Sequence, residues 1–275
     1  MKALLATTGW SRAQAVICLH ASGSSGAQWR TLARMLQHEF DVLTPDLYGH
    51  GSAPAWHGTP ADVLAADASR VARLVASAEQ VHLVGHSYGG AVALQVALRH
   101  PARIASVSVY EPVPMRILFD YGARHRAAAE VADVAGTIRR ELNGGSTERA
   151  AQRFVDYWWG APQWATLDAM QRAAITACMP VIRDHFAALT HAATRLGDYR
   201  RVDAPVLYLR GRTTRASARR MAELLQSVLP RVESVTFAAP GHLGPMTHAA
   251  LVAEPIAQFV RWHAAARVQR LRNAA

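Results

Sequence analysis

The sequence has few of the features that mark secreted, disulfide-linked or membrane-spanning proteins. Its 275 residues include two cysteines, Cys18 and Cys178, which is too few for a disulfide framework. No segment offers about 18 uninterrupted apolar residues, so no membrane span is predicted. The apolar stretch Ala3–Ala6 is too short to be the core of a signal peptide. These shortages predict a cytoplasmic protein and leave its oligomeric state open.

Lysine is almost absent as well. Lys2 is the only one, so the net charge of +10 comes almost entirely from arginine. The arginines are scattered singly and in pairs, as at Arg139–Arg140 and Arg200–Arg201, whereas a nucleic-acid-binding surface gathers basic residues into a stripe. No nucleic-acid partner is therefore predicted. The sequence also has no metal-ligand spacing and no phosphate-binding loop, so we expect neither a metal nor a cofactor.

Short runs rich in valine, isoleucine and leucine alternate with segments of helical periodicity. Runs with little polar alternation are typical of strands that are covered on both faces. Five runs have this pattern. A sixth, Val232–Phe237, alternates more between polar and apolar residues and therefore suits a strand at the edge of a sheet. The alternation of strands and helices predicts an α/β fold with a mostly parallel sheet flanked by helices. The five predicted buried strands are Ala15–Leu19, Asp41–Thr44, Val81–Val84, Ile104–Tyr110 and Pro205–Leu209.

The alternation is interrupted once, over residues 113–201, where no strand pattern occurs. We interpret this stretch as a helical cap inserted into a core domain formed by residues 1–112 and 202–275. Only 14 residues precede the first predicted strand, so a leading hairpin is expected to be short or missing.

The strongest motif is Gly85-His86-Ser87-Tyr88-Gly89, which follows one predicted strand and precedes a predicted helix. A G-x-S-x-G sequence in this setting predicts a tight turn that exposes the serine hydroxyl at the carboxyl edge of the sheet. Ser87 is therefore the candidate nucleophile. The same turn directs the backbone N–H of Tyr88, at a helix N-terminus, towards the site where an oxyanion would form.

Three further motifs accompany the turn in a recognisable order. His20-Ala21-Ser22-Gly23 follows the first strand, Asp46–Ser52 follows the second, and Gly241-His242 comes late. This order resembles the cap-bearing branch of the α/β-hydrolase superfamily over nearly the whole chain. The resemblance implies that the backbone N–H of Ser22 is the second oxyanion donor, although Ala21 stands where the family usually has glycine. We assign no chemistry to the motif Asp46–Ser52.

A serine hydroxyl needs a nearby base at neutral pH. His242 lies in the loop Ala239–Pro245, directly after the last predicted strand, where loop residues end beside the nucleophile. His248 begins the next helix and suits a solvent-exposed position better. His242 is thus the candidate base.

The position of the acid departs from the commoner pattern. In much of the resembled family the carboxylate follows the strand after the cap, but the loop Arg210–Arg215 contains neither Asp nor Glu. Glu111 ends an earlier strand at the same edge, and haloalkane dehalogenases are similar in placing their acid there. We take Glu111 as the candidate acid, the alternative being a surface ion pair with Arg116.

A serine at the turn disfavours the dehalogenase and epoxide hydrolase chemistries of this fold, which use aspartate. The remaining prediction is a serine esterase that cleaves an ester or related carbonyl bond of a small, largely apolar substrate through an acyl-enzyme. Cofactor-free haloperoxidase activity, carbon–carbon bond hydrolysis and a hydrolase-fold ligand-binding protein stay open as alternatives. The predicted substrate-binding residues are Phe119, Tyr157, Trp158, Trp159 and Leu243.

Overall fold

The computed structural model describes residues 14–274 except 121, 123 and 124. A leading hairpin would fall in residues 1–13, outside the described residues. Within that range, six parallel strands form one sheet in the order β2-β1-β3-β4-β5-β6, so the predicted α/β fold is confirmed. The strands are β1 (Gln14–Leu19), β2 (Asp41–Leu43), β3 (Gln80–His86), β4 (Ile104–Tyr110), β5 (Val206–Gly211) and β6 (Val232–Phe237).

Helices cover both faces of this sheet because successive strand residues point to opposite sides. In β1, Ala15, Ile17 and Leu19 belong to one apolar cluster, whereas Val16 and Cys18 belong to the other. The helices are α1 (Arg30–Leu36) and α11 (Ala249–Ala274) on one face, and α2 (Val63–Ala76), α3 (Tyr88–Arg99) and α9 (Ala216–Val228) on the other. The short helix α10 (Gly244–Thr247) lies between β6 and α11. β6 lies at an edge, as its alternating sequence predicts.

In the described residues, the stretch between β4 and β5 contains helices and no strand, and its helices form the predicted cap. Its apolar side chains belong to the same buried cluster as α2, α3 and α9, so the cap is packed onto one face of the core. No helix in the described part of the chain is both long and apolar enough to cross a bilayer. The inserted helices are α4 (Arg116–Phe119), α5 (Arg126–Asn143), α6 (Thr147–Trp159), α7 (Gln163–Thr166) and α8 (Ala169–His191).

The turn between β3 and α3 is held by very close backbone contacts. A Cβ atom added at Gly89 would lie 2.4 Å from the carbonyl oxygen of Leu19, and one at Gly85 would lie 2.5 Å from that of Gly89. Real Cβ atoms do not approach backbone this closely, so both positions require glycine. The turn is therefore pressed directly against the end of β1.

We predict that Gly89→Ala lowers the free energy of unfolding by about 1–3 kcal/mol or more, because the new methyl group must push the Leu19 backbone aside. The matched control is Gly136→Ala in α5, where the added Cβ would meet only the end of the Arg140 side chain, at 3.4 Å. There, the higher helix propensity of alanine should raise stability by about 0.5–1 kcal/mol. Denaturant unfolding of both variants tests this, and equal effects would contradict the close-contact explanation.

Candidate active site

Ser87 is placed at the carboxyl edge of the sheet by a backbone conformation that few residues adopt. Its φ is 54° and its ψ is −116°, and it is one of two non-glycine residues with positive φ in the described chain. The neighbouring strand fixes the turn, because the Ser87 N–H donates to the Tyr110 carbonyl at 3.0 Å. The side chain is almost buried, with 6% exposure, and lines a cleft beneath the cap.

His242 approaches Ser87 from the loop after β6. Its Nε2 accepts a hydrogen bond from the Ser87 hydroxyl at 3.0 Å. Two core side chains hold the loop: His86 Nε2–H donates to the His242 carbonyl at 2.8 Å, and the Tyr110 hydroxyl donates to the Gly241 carbonyl at 2.7 Å. His86 is fully buried, and this burial lowers its pKa well below the usual range. His86 is therefore neutral, and its single ring proton is the one that it donates to the His242 carbonyl.

Glu111 completes a line of hydrogen bonds that begins at Ser87. Its Oε2 accepts from His242 Nδ1–H at 2.8 Å and from the Thr214 hydroxyl at 2.6 Å. Its Oε1 accepts from the Gly211 N–H at 2.8 Å, and the residue is 1% exposed. Arg116 is the alternative partner predicted for Glu111. Its guanidinium Nη2 lies instead 3.6 Å from Asp120 Oδ1. The carboxylate thus bonds to His242 and to the end of β5.

Glu111 is also the second residue with positive φ, at 41°. Such a conformation is unfavourable for a residue with a long side chain and persists only when its surroundings hold it. Here the Glu111 N–H donates to the Leu209 carbonyl at 2.9 Å, and the carboxylate takes three hydrogen bonds. These contacts turn the side chain across the strand end towards His242.

The backbone N–H groups of Tyr88 and Ser22 are among those near Ser87 that have no hydrogen-bond partner in the described residues. Tyr88 is the first residue of α3, where a helix leaves its N–H groups unpaired. In the loop that contains Ser22, the N–H groups of Ala21 and Gly23 are already bonded, to Gln28 and His50. Both predicted oxyanion donors are thus available to a ligand.

The cleft brings some of the predicted substrate-binding residues to Ser87 and leaves others out. Trp158 and Trp159 line it, as does Leu243. Trp158 also stacks on the imidazole of His242, with ring centroids 4.3 Å apart. Tyr157 is not brought to the cleft, because its hydroxyl bonds to Ser217 of α9 at 2.7 Å, and Phe119 packs against the apolar cluster instead.

Sequence reasoning missed Thr214 and His185, whose side chains bond to the candidate residues Glu111 and Ser22. Thr214 lies in the loop that lacks an acid, and only the structure shows its hydroxyl on Glu111. His185 of α8 bonds to the Ser22 hydroxyl at 2.7 Å across 163 positions of sequence, and it resembles any other helical histidine in the sequence. Within the described residues, no group of three His, Cys, Asp or Glu side chains is arranged to bind a metal ion.

The sequence matches a family model described as "alpha/beta hydrolase fold" over residues 14–249. It is similar to a pimeloyl-[acyl-carrier protein] methyl ester esterase of Klebsiella pneumoniae, at 27% identity over 88% of this chain and 91% of the esterase. It is also similar to a fluoroacetate dehalogenase of a Burkholderia species, at 30% identity over 42% of this chain and 40% of the dehalogenase.

A hydrolase from Pseudomonas aeruginosa PA01 has a similar solved structure, with a TM-score of 0.70, 20% identity and coverage of 90% of both chains. At this identity the likeness shows the fold alone. The chain spans two fifths or less of the length of the first curated relatives that it matches. The matched segments cover 40%, 27% and 26% of the lengths of these three proteins.

Behind the candidate site, the side chain of Tyr88 is tied to a buried carboxyl group. The Tyr88 hydroxyl donates to Asp67 Oδ2 at 2.8 Å, and the Tyr48 N–H donates to Oδ1 at 3.0 Å. Burial raises the pKa of Asp67 to about 6, although these two hydrogen bonds and the nearby charge of Arg70 oppose the rise. Asp67 therefore takes up a proton in the folded protein at a pH where the unfolded chain has lost it.

We predict that Asp67 makes stability fall as the pH rises from about 4 to 6. In this window the folded state binds a proton that the unfolded chain, with a pKa of 3.8, has released. The gap between 3.8 and about 6 corresponds to about 3 kcal/mol. Buried histidines such as His86 oppose this trend, but equally in both proteins, so Asp67→Asn isolates the contribution of Asp67: the free energy of unfolding of wild type minus that of the variant should fall between pH 4 and 6, which denaturant unfolding at pH 4, 5, 6 and 7 would measure. The same pH dependence in both proteins would refute the assignment.

Proposed function

The chain belongs to the α/β-hydrolase fold family, and from that membership we propose that it is a serine hydrolase that cleaves an ester or related carbonyl bond. Its substrate is small and largely apolar, and the reaction passes through an acyl-enzyme. One observation carries the proposal: Ser87, His242 and Glu111 form a continuous hydrogen-bonded line, with distances of 3.0 Å and 2.8 Å, beside a cleft.

In this proposal His242 Nε2 takes the Ser87 proton as the hydroxyl oxygen attacks the carbonyl carbon. The imidazolium that forms is stabilised by the Glu111 carboxylate on its other nitrogen. His242 then gives the proton to the leaving group, and a water molecule, activated in the same way, releases the acid. The tautomer that this requires, with the proton on Nδ1, is the one that the bond to Glu111 favours.

Negative charge develops on the carbonyl oxygen during both attacks. The unpaired N–H groups of Tyr88 and Ser22 are the proposed donors to it, because they flank Ser87 and need no rearrangement to bind an anion. Trp158 contributes from the cap by stacking on His242, where an aromatic face favours the cationic ring over the neutral one.

The lining of the cleft supports an uncharged substrate. Apart from histidines, it contains no ionisable side chain. The similarity to a methyl ester esterase, which covers most of both chains, favours an ester bond as the bond that is cleaved. The apolar wall is formed by Phe154, Trp158, Trp159, Leu243 and Met246.

The similarity to a fluoroacetate dehalogenase raises a different chemistry, displacement at a carbon–halogen bond. Dehalogenases of this fold carry aspartate at the turn. This chain has serine at position 87, which favours acyl transfer. A ligand-binding protein without activity is disfavoured by the continuous line of hydrogen bonds at Ser87.

We predict that a fluorophosphonate probe labels the wild-type protein at Ser87, because only an activated serine attacks it. Ser87→Ala should not be labelled, and His242→Ala should be labelled far more slowly. Turnover of p-nitrophenyl acetate and butyrate should fall by several orders of magnitude in both variants, since triad members act as a unit.

His248→Ala is the matched control for His242→Ala. His248 is an exposed residue six positions further on, and its Nδ1 bonds to the neighbouring Thr247 hydroxyl at 2.9 Å. Its removal should leave labelling and turnover close to wild type. No labelling of the wild-type protein, or a larger effect at His248 than at His242, would refute the proposal.

We predict that Glu111→Gln lowers kcat by about 10³–10⁴ while the protein stays folded, because the amide keeps the shape but not the charge that stabilises the imidazolium. Thr213→Asp in this background should restore part of kcat. Thr213 is exposed on the loop after β5 and lies near Gly241. Thr214 is not used, because its hydroxyl already bonds to the side chain of residue 111. A wild-type rate in Glu111→Gln would show that Glu111 is not the acid.

A further inference from the structure

Four aromatic rings form a buried column between the cap and the core. The ring of Tyr88 lies on that of His185 with centroids 3.6 Å apart and planes at 7°. His185 in turn stacks on His50 at 5.3 Å and 14°, and His50 contacts His20 at 5.2 Å. The column links helix α8 of the cap to the loop that holds Ser22 and to the start of α3.

Two of these histidines have their proton positions fixed by backbone groups. His20 Nδ1–H donates to the Ala21 carbonyl, and its Nε2 accepts from the Leu47 N–H. His50 Nδ1–H donates to the Tyr48 carbonyl, and its Nε2 accepts from the Gly23 N–H. Each ring therefore bonds fully as a neutral imidazole that carries its proton on Nδ1. Their task is to hold the backbone on both sides of Ser22.

His185 is different, because only one of its nitrogens has a partner. Its Nδ1 lies 2.7 Å from the Ser22 hydroxyl, and its Nε2 is buried with no hydrogen-bond partner among the described residues. Burial, with His50 and His20 nearby, lowers the pKa of His185 well below its usual range, so the ring is neutral. It carries one proton, on Nδ1 or on Nε2.

The two tautomers leave the Ser22 hydroxyl in opposite roles. A proton on Nε2 would leave a buried N–H without an acceptor, which is rare in proteins, and would make Ser22 the donor to Nδ1. A proton on Nδ1 avoids the orphan donor and makes the Ser22 oxygen the acceptor. The Ser22 hydroxyl proton is then free to be donated elsewhere, and Ser22 lines the same cleft as Ser87.

We propose that His185 is a positioning residue that fixes the Ser22 hydroxyl as a further donor to the oxyanion and ties the cap to the oxyanion loop. The inference rests on the proposed function. His185 Nδ1–H donates to Ser22 Oγ, and Ser22 O–H donates to the substrate carbonyl oxygen as charge develops on it. Movement of α8 away from the core breaks the first bond and leaves the hydroxyl without a fixed direction.

The test compares three substitutions at residue 185. Asn places an amide N–H near the position of the imidazole Nδ1, Gln places it further out, near the position of Nε2, and Phe keeps the stacked ring without a donor. We expect His185→Asn to retain kcat within about threefold for p-nitrophenyl butyrate. His185→Gln and His185→Phe should lose about 10- to 100-fold in kcat, with KM nearly unchanged, because the bond acts on the transition state.

A double-mutant cycle with Ser22→Ala shows whether His185 acts through Ser22. Ser22→Ala alone should lower kcat by about the same factor as His185→Phe, and the double variant should be no slower than either. Should His185→Phe fail to fold, the contrast between His185→Asn and His185→Gln, each also combined with Ser22→Ala, answers the same question. Independent, multiplying losses would overturn the proposal, as would equal rates for the Asn and Gln variants.

Two controls separate this inference from the function on which it rests. His191→Phe changes an exposed histidine on the same helix, bonded to the Ala187 carbonyl, and should leave kcat unchanged. Fluorophosphonate labelling of the wild-type protein reports on the activated serine alone. No labelling there refutes the serine hydrolase, whereas normal labelling with no loss of kcat in His185→Phe refutes only the role of His185.

Discussion

The close contact between the β3–α3 turn and the ends of its neighbouring strands is the constraint on which the rest of the site depends. Gly89 meets the Leu19 carbonyl with no room for a side chain, and Ser87 is held to Tyr110 by a backbone hydrogen bond. This contact forces the left-handed backbone that raises the Ser87 hydroxyl above the sheet. It also brings the ends of β1, β3 and β4 together, which is why the candidate oxyanion donors, Ser87 and Glu111 meet without long loops.

The cap does more than cover this edge. Trp158 of α6 stacks on His242, and His185 of α8 bonds to Ser22, so the cap touches both the candidate base and the oxyanion loop. Each contact joins a residue of the insertion to a residue of the core that lies far away in sequence. The insertion therefore supplies part of the surroundings of the candidate triad as well as the wall of the cleft.

Sequence reasoning predicted most of what depends on local patterns. The glycine spacing around Ser87 indicated the turn, and the empty loop after β5 directed attention to Glu111, which the structure brings within 2.8 Å of His242. It did less well with contacts between distant segments. Tyr157 looked like its neighbour Trp158, yet the helix turns the two side chains about 100° apart, and Tyr157 is directed to α9. Nothing in the sequence around His185 or Thr214 indicates their partners.

The position of Glu111 has a consequence for how such a protein can diverge. Ser87 and Glu111 are separated by 111 − 87 = 24 residues, and both precede the cap insertion, as do the candidate oxyanion donors. Among the candidate groups that take part in the chemistry, only His242 comes after it. Insertions, deletions or recombination within the cap therefore leave the spacing between Ser87 and Glu111 untouched. A lineage with this arrangement can exchange its cap while the candidate nucleophile and the candidate acid are inherited as one unit.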